Sequence, residues 1–101
     1  MDDSPAPDTL ERLERAEQLK LMGQHDEALV LLEELLMEDP SNVSALEEVA
    51  DNELSLERFD RAQAAAEQAI ALDPESYTGY YILGLLHSQK EQWNESLECL
   101  Q

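Results

Sequence analysis

A chain of 101 residues with 24 acidic and 6 basic side chains, net charge −18, has room for one domain and carries a field that repels nucleic acid and anionic membrane. Five aromatics, three glycines and four prolines are too few strand and turn formers for a sandwich or barrel, whereas Leu, Ala, Glu and Gln dominate as in helical proteins. The single cysteine, Cys99, excludes an internal disulfide, and neither a signal segment nor an apolar run of membrane-spanning length is visible, so a cytoplasmic chain is expected.

In chain order, residues 1–8 form a polar, proline-containing lead-in with nothing to bury, and disorder is expected there. Asp8 or Thr9 offers a cap for a first helix, with Glu11 placed after Asp8 as in a capping box. Leu10, Leu13, Ala16, Leu19, Leu21 and Met22 supply its apolar stripe up to Gly23, a residue suited to a helix C-terminus. Asp26 is the expected cap of a second helix, in which Ala28, Leu29, Leu31, Leu32, Leu35 and Leu36 bury, and Asp39-Pro40 ends it. A third helix is predicted from about Val43 to Leu56, with Ser44 and Glu47 as its capping box, and a fourth from about Asp60 to Leu72. A fifth is predicted over about Tyr77 to Gln89 and a sixth from near Asn94.

These elements repeat. Pro40 and Pro74 stand 34 residues apart, and the stretches leading into them, EALVLLEELLMEDPSN and RAQAAAEQAIALDPES, superpose without a gap. The same shift brings Ala28, Ala62 and Ser96 into one column and His25, Phe59 and Trp93 into another. Three units follow, 9–42, 43–76 and 77–101, the last one incomplete. A fixed period of this length means that each unit leaves an apolar face which only its neighbour can cover. A recurring column is therefore read as packing, and His25, Phe59 and Trp93 as structural residues rather than ligands.

The third unit reads Tyr80-x2-Leu83-Gly84-x2-His87, the second Leu46-x2-Val49-Ala50, and the first keeps Ala16, Leu19 and Gly23. The second helices read Ala28-x3-Leu32, Ala62-x3-Ala66 and Ser96-x3-Leu100, with Pro40 and Pro74 closing the first two units. This pattern resembles the tetratricopeptide repeat, whose unit pairs W-x2-L-G-x2-Y in one helix with A-x3-F in the next. Two positions depart from it: Glu53 stands where a large aromatic is usual, and Arg12 where the first unit would carry its first bulky residue. The resemblance covers about Thr9 to Gln101 and implies an all-α fold, a right-handed α-solenoid of stacked antiparallel helix pairs.

Catalytic chemistry finds no footing in the sequence. His25 and His87 lie far apart, Cys99 has no companion at metal-ligand spacing, and the isolated glycines make no phosphate-cradling loop. Acidic pairs such as Glu33-Glu34 read as solvated helix faces, so neither an enzyme nor a cofactor is expected.

The resemblance also implies a concave groove lined by the first helix of each pair, in which family members hold an extended peptide or a partner helix. Carried over by repeat position, this surface comprises Leu10, Leu13, Glu17 and Lys20, then Ser44, Glu47, Glu48, Asp51 and Ser55, then Thr78, Tyr81, Ile82 and Leu85. Members that clamp the carboxylate tail of heat-shock chaperones use cationic and amide donors at columns occupied here by Leu13, Glu17, Glu48, Thr78 and Ile82, which disfavours that role. The expectation is an adaptor or chaperone-like module for a basic, partly apolar segment of another protein. In it, Glu17, Glu47, Glu48 and Asp51 pair with Lys or Arg, while Leu13, Tyr81, Ile82 and Leu85 make apolar contact. The alternative is a structural scaffold that self-associates as a homodimer, or continues a longer solenoid, through Trp93, Leu97 and Leu100.

Overall fold

The 34-residue period of the sequence becomes a period of backbone geometry. Asn42 and Ser76 share a column, and each caps the helix that follows it. Asn42 Oδ1 accepts from the Ala45 N–H at 3.1 Å, and Ser76 Oγ accepts from the Gly79 N–H at 3.1 Å. Just upstream, Asp39 and Asp73 accept from the backbone N–H of Ser41 and Glu75, at 3.2 and 3.0 Å. These Asx turns carry the chain round each proline.

The computed structural model describes residues 7–99, with side chains over residues 9–89. It contains α1 (Pro7–Leu21), α2 (His25–Glu38), α3 (Val43–Ser55), α4 (Phe59–Leu72) and α5 (Tyr77–Cys99). Successive helices pack on one another, α1 on α2, α2 on α3, α3 on α4 and α4 on α5, while α3 also touches both α1 and α5. The result is an all-α solenoid of antiparallel helix pairs with the first helix of each pair on one side.

The helix starts differ from expectation for local reasons. Pro7 already lies in α1, because its fixed φ and missing N–H suit the first helical position, so Asp8 and Thr9 sit inside the first turn rather than capping it. Residues 7 and 8, expected within the lead-in, are helical, and the rest of it, residues 1–6, lies outside the described residues. In α2 the cap position falls on Gln24, which makes no side-chain cap bond, and Asp26 instead places its charge in the first turn. Helix α3 is capped by Asn42 rather than by a Ser44–Glu47 box, since Glu47 is engaged elsewhere.

Two apolar clusters run through the solenoid. The first joins Ala16, Leu19, Ala28, Leu32, Leu35 and Ala45, and the second joins Ala50, Ala62, Ala65, Ala66, Ile82 and Leu86. Val49 packs against both and makes them continuous. All of these alanines but Ala65 are fully enclosed, so helix backbones approach closely where a larger side chain would hold them apart. Between α4 and α5 the approach demands glycine: a Cβ on Gly79 would lie 2.8 Å from Ile70 Cγ1 and 3.3 Å from the Ala66 carbonyl oxygen. Leu21 and Met22, expected to bury, lie exposed at the end of α1, beyond the reach of α2.

The largest difference concerns α5. A turn was expected before Asn94, yet the helix continues unbroken to Cys99. The reason lies in one column. Gly23 and Glu57 end α1 and α3 in the left-handed region, with φ of 80° and 61°, and the matching third-unit residue is Glu91. After Gly84 the sequence has no Gly, and after Pro74 no Pro, so nothing local stops the helix. Glu57 tolerates the strained conformation because the turn it makes lets α4 pack between α3 and α5, burying Ala62, Ala65, Ala66 and Ala69.

An L-residue at positive φ carries a penalty of about 1 kcal/mol that glycine avoids. Replacing Glu57 by Gly is therefore expected to raise the melting temperature by about 4 °C, while Glu57→Ala, which keeps a Cβ, leaves it unchanged. Thermal unfolding followed by circular dichroism measures both.

Candidate protein-binding groove

The first helices of the three units, α1, α3 and α5, lie side by side and enclose an open groove of about 250 Å³. From α1 it is lined by Leu10, Leu13, Glu14 and Glu17; from α3 by Ser44, Glu47 and Glu48; from α5 by Thr78. Of the residues that sequence reading placed there, Leu10, Leu13, Glu17, Ser44, Glu47, Glu48 and Thr78 are thus brought together. Glu14 was missed, although its place one turn before Glu17 on the same helix face marks it. No Lys or Arg lines the groove.

The four carboxylates are not equivalent. Lys20, at the end of α1, donates to Glu48 Oε2 at 3.0 Å and to Asp51 Oδ2 at 2.9 Å, tying α1 to α3. Burial lowers the proton affinity of the Lys20 ammonium, but the hydrogen bonds to Asp51 and Glu48 together outweigh it and hold the pKa above the ordinary lysine value. Glu47 Oε2 accepts from the Ser76 hydroxyl at 2.7 Å, so the residue that caps α5 also anchors it to α3. Glu14 and Glu17 remain exposed and have no ion-pair partner among the described residues. The acids expected to meet a partner are therefore divided: Glu48 and Asp51 are neutralised internally, Glu47 is held by a hydroxyl, and Glu17 is open.

The expected apolar anchors divide as well. Tyr81 and Leu85 are exposed on α5 beyond the groove, and the Tyr81 ring stacks on Tyr77 with centroids 6.3 Å apart and planes 12° from parallel. Ile82 is only 1% exposed and belongs to the second core cluster with Leu86, one turn on. It cannot serve as a partner contact, because position 82 falls on the side of α5 that meets α4. Trp93 and Leu97 lie beyond the described side chains, and Leu100 lies outside the described residues.

Beneath the groove a set of polar contacts fixes how the first two units stack. Asn52 is fully buried; its Nδ2 donates to the Glu48 carbonyl at 2.7 Å, which leaves Oδ1 to accept from His25 Nδ1–H at 2.9 Å. Glu53, the departure from the aromatic column, is buried against Arg58 at 3.2 Å, with Arg61 at 3.9 Å. Arg58 reaches back to Asp26 of α2 at 3.1 Å. Sequence reading flagged Glu53 as unusual but had no signal for Asn52, whose partner lies 27 residues away.

A family model described as the tetratricopeptide repeat matches residues 49–98, from the middle of α3 into the last turns of α5. The chain belongs to the tetratricopeptide-repeat family. Comparison with curated proteins and with solved structures gives no match. Tetratricopeptide repeats are in general protein–protein interaction modules and in general not enzymes. Among the described residues, no helix is long and apolar enough to cross a membrane, and no cluster of His, Cys, Asp or Glu is grouped to hold a metal ion.

Removing the cation between Glu48 and Asp51 leaves two like charges side by side. Lys20→Met is expected to destabilise the fold by about 1 kcal/mol in urea unfolding, and added salt recovers part of the loss. Because the folded-state pKa of Lys20 is raised, its contribution is complete through neutral pH and disappears only in alkali, as pH climbs past the unfolded value and through the folded one. The unfolding free energy of the parent protein falls across that alkaline window, and that of Lys20→Met lacks this component.

Proposed function

We propose that this tetratricopeptide-repeat protein is an adaptor or chaperone-like module that holds a short basic, partly apolar segment of another protein in the groove of α1, α3 and α5. The observation that carries this reading is the lining: four carboxylates, of which only Glu48 has an ion-pair partner among the described residues, and two leucines, in a chain of net charge −18. Glu14 and Glu17 are the acids open to a Lys or Arg. Leu10 and Leu13 offer apolar contact at the α1 wall, and Tyr81 with Leu85 offers it at the α5 end.

The magnitudes apportion these roles. An exposed charge pair is worth less than about 1 kcal/mol, whereas burying one leucine-sized side chain contributes about 2 kcal/mol. Affinity then rests on the apolar anchors, while the acidic field raises the association rate and rejects acidic segments. Added salt then acts chiefly by slowing association, with a modest loss of affinity.

Fluorescence anisotropy with a labelled peptide of alternating Lys, Arg and Leu tests the reading. Binding is expected at low ionic strength and falls about tenfold on reversing both open acids, Glu14→Lys with Glu17→Lys. Leu13→Ala is expected to weaken binding about fivefold with little change in the salt dependence. Equal affinity for an acidic peptide of the same apolar content, or no effect of the double reversal, would remove the groove as the binding surface.

A further inference from the structure

Lys20 stands beside the acidic groove, one turn beyond Glu17 on the same face of α1, and its Nζ donates to Glu48 Oε2 at 3.0 Å and to Asp51 Oδ2 at 2.9 Å. Its two acceptors differ in place. Glu48 lines the groove, whereas Asp51, one turn further along α3, lies outside the lining. They differ in solvation as well, with the Glu48 side chain 28% exposed and that of Asp51 41% exposed.

A basic segment that enters the groove meets in Glu48 an acceptor already in use. Either the incoming cation shares this carboxylate with Lys20, which crowds two like charges at one group, or Lys20 lets it go. Lys20 has somewhere to go. Its ammonium carries three N–H donors on a flexible four-carbon stem, so it can release Glu48 and keep Asp51. After that exchange Glu48 is paired with the partner's cation and Lys20 with Asp51, and no charge is stranded. The lysine is charged throughout the neutral range, since its pKa lies above the ordinary value.

We propose that Lys20 is a built-in competitor for the groove: it occupies Glu48 in the free protein and withdraws to Asp51 when a basic side chain of the partner arrives. This inference rests on the groove reading and adds a means of regulating it. The contact acts as a brake of modest size, because the apparent affinity for a basic segment is lowered by the fraction of molecules in which Lys20 holds Glu48. The same contact ties α1 to α3, so the brake and the brace are one ion pair with opposite effects on binding and on stability.

Fluorescence anisotropy with the labelled peptide of Lys, Arg and Leu tests the competition. Lys20→Met is expected to bind it about fivefold more tightly than the parent protein does, although the same change lowers the stability of the fold. A lysine that merely braced the two helices would weaken binding when removed, so the sign of the effect decides. Lys20→Gln, a second neutral variant, is expected to tighten binding in the same way. Asp51→Asn removes the place to which Lys20 withdraws, and binding about threefold weaker is expected. Arg61→Met on α4 and Glu33→Gln on α2 make the same changes of net charge away from the groove, and each is expected to shift the affinity by less than about twofold. Lys20 variants no tighter than Arg61→Met, or Asp51→Asn no weaker than Glu33→Gln, overturn the proposal and leave the groove reading in place where the parent protein binds the peptide. A peptide that binds neither the parent nor the Lys20 variants removes both.

Discussion

Close approach of paired helices at alanine is the constraint on which the rest of this molecule depends. Ala16, Ala28, Ala50 and Ala62 are fully enclosed, and each stands where two helices of a unit meet. An alanine buries little area of its own; its contribution is to let neighbouring Leu32, Leu35, Leu46 and Ile82 pack at interior density. Enlarging one of these alanines would separate the pair, shift the stacking of the next unit and open the groove, because every unit is positioned by the one before it.

Apolar packing sets the distance between helices but leaves their rotation loosely specified, and a polar set supplies the register. Lys20 bridges α1 to α3, His25 meets Asn52 between α2 and α3, and Arg58 spans Asp26 of α2 and Glu53 of α3. For a chain so rich in acid, this use of its few cations has a second consequence. Arg12, Lys20, Arg58 and Arg61 are all occupied by carboxylates within the fold. The acids left over, Glu14 and Glu17 above all, face outward from the groove side with nothing in the described residues to neutralise them.

Helix α5 presents two different faces, one toward the groove end and one left open. Its start is fixed by Ser76, which caps it and holds Glu47, and its middle is fixed by the glycine contact with α4 and by Ile82 and Leu86 in the core. One side offers Thr78, Tyr81 and Leu85 toward the groove end. Another offers the open columns at Tyr80, Gly84 and His87, where earlier units bury their counterparts.

The period of 34 residues, the columns of small residues and the succession of the first four helices were all legible in the chain, because periodicity and turn chemistry are local properties. So was the groove wall at Leu13, Glu17, Glu47 and Glu48, since repeat position places the first helices on one side. Cap positions slipped by one or two residues because Asn42 and Pro7 competed with Ser44 and Asp8 for the same helix starts. Ile82 was misplaced because a one-residue rotation on a helix moves a side chain from groove to core, and only contact with α4 determines which side is buried. Which carboxylates remain open, and why Asn52 is buried, depended on partners 27 to 31 residues distant. Pairings at that separation exist only once the units are stacked, so the sequence by itself determined the repeat and its surface, and the tertiary structure decided which charges on that surface are free to act.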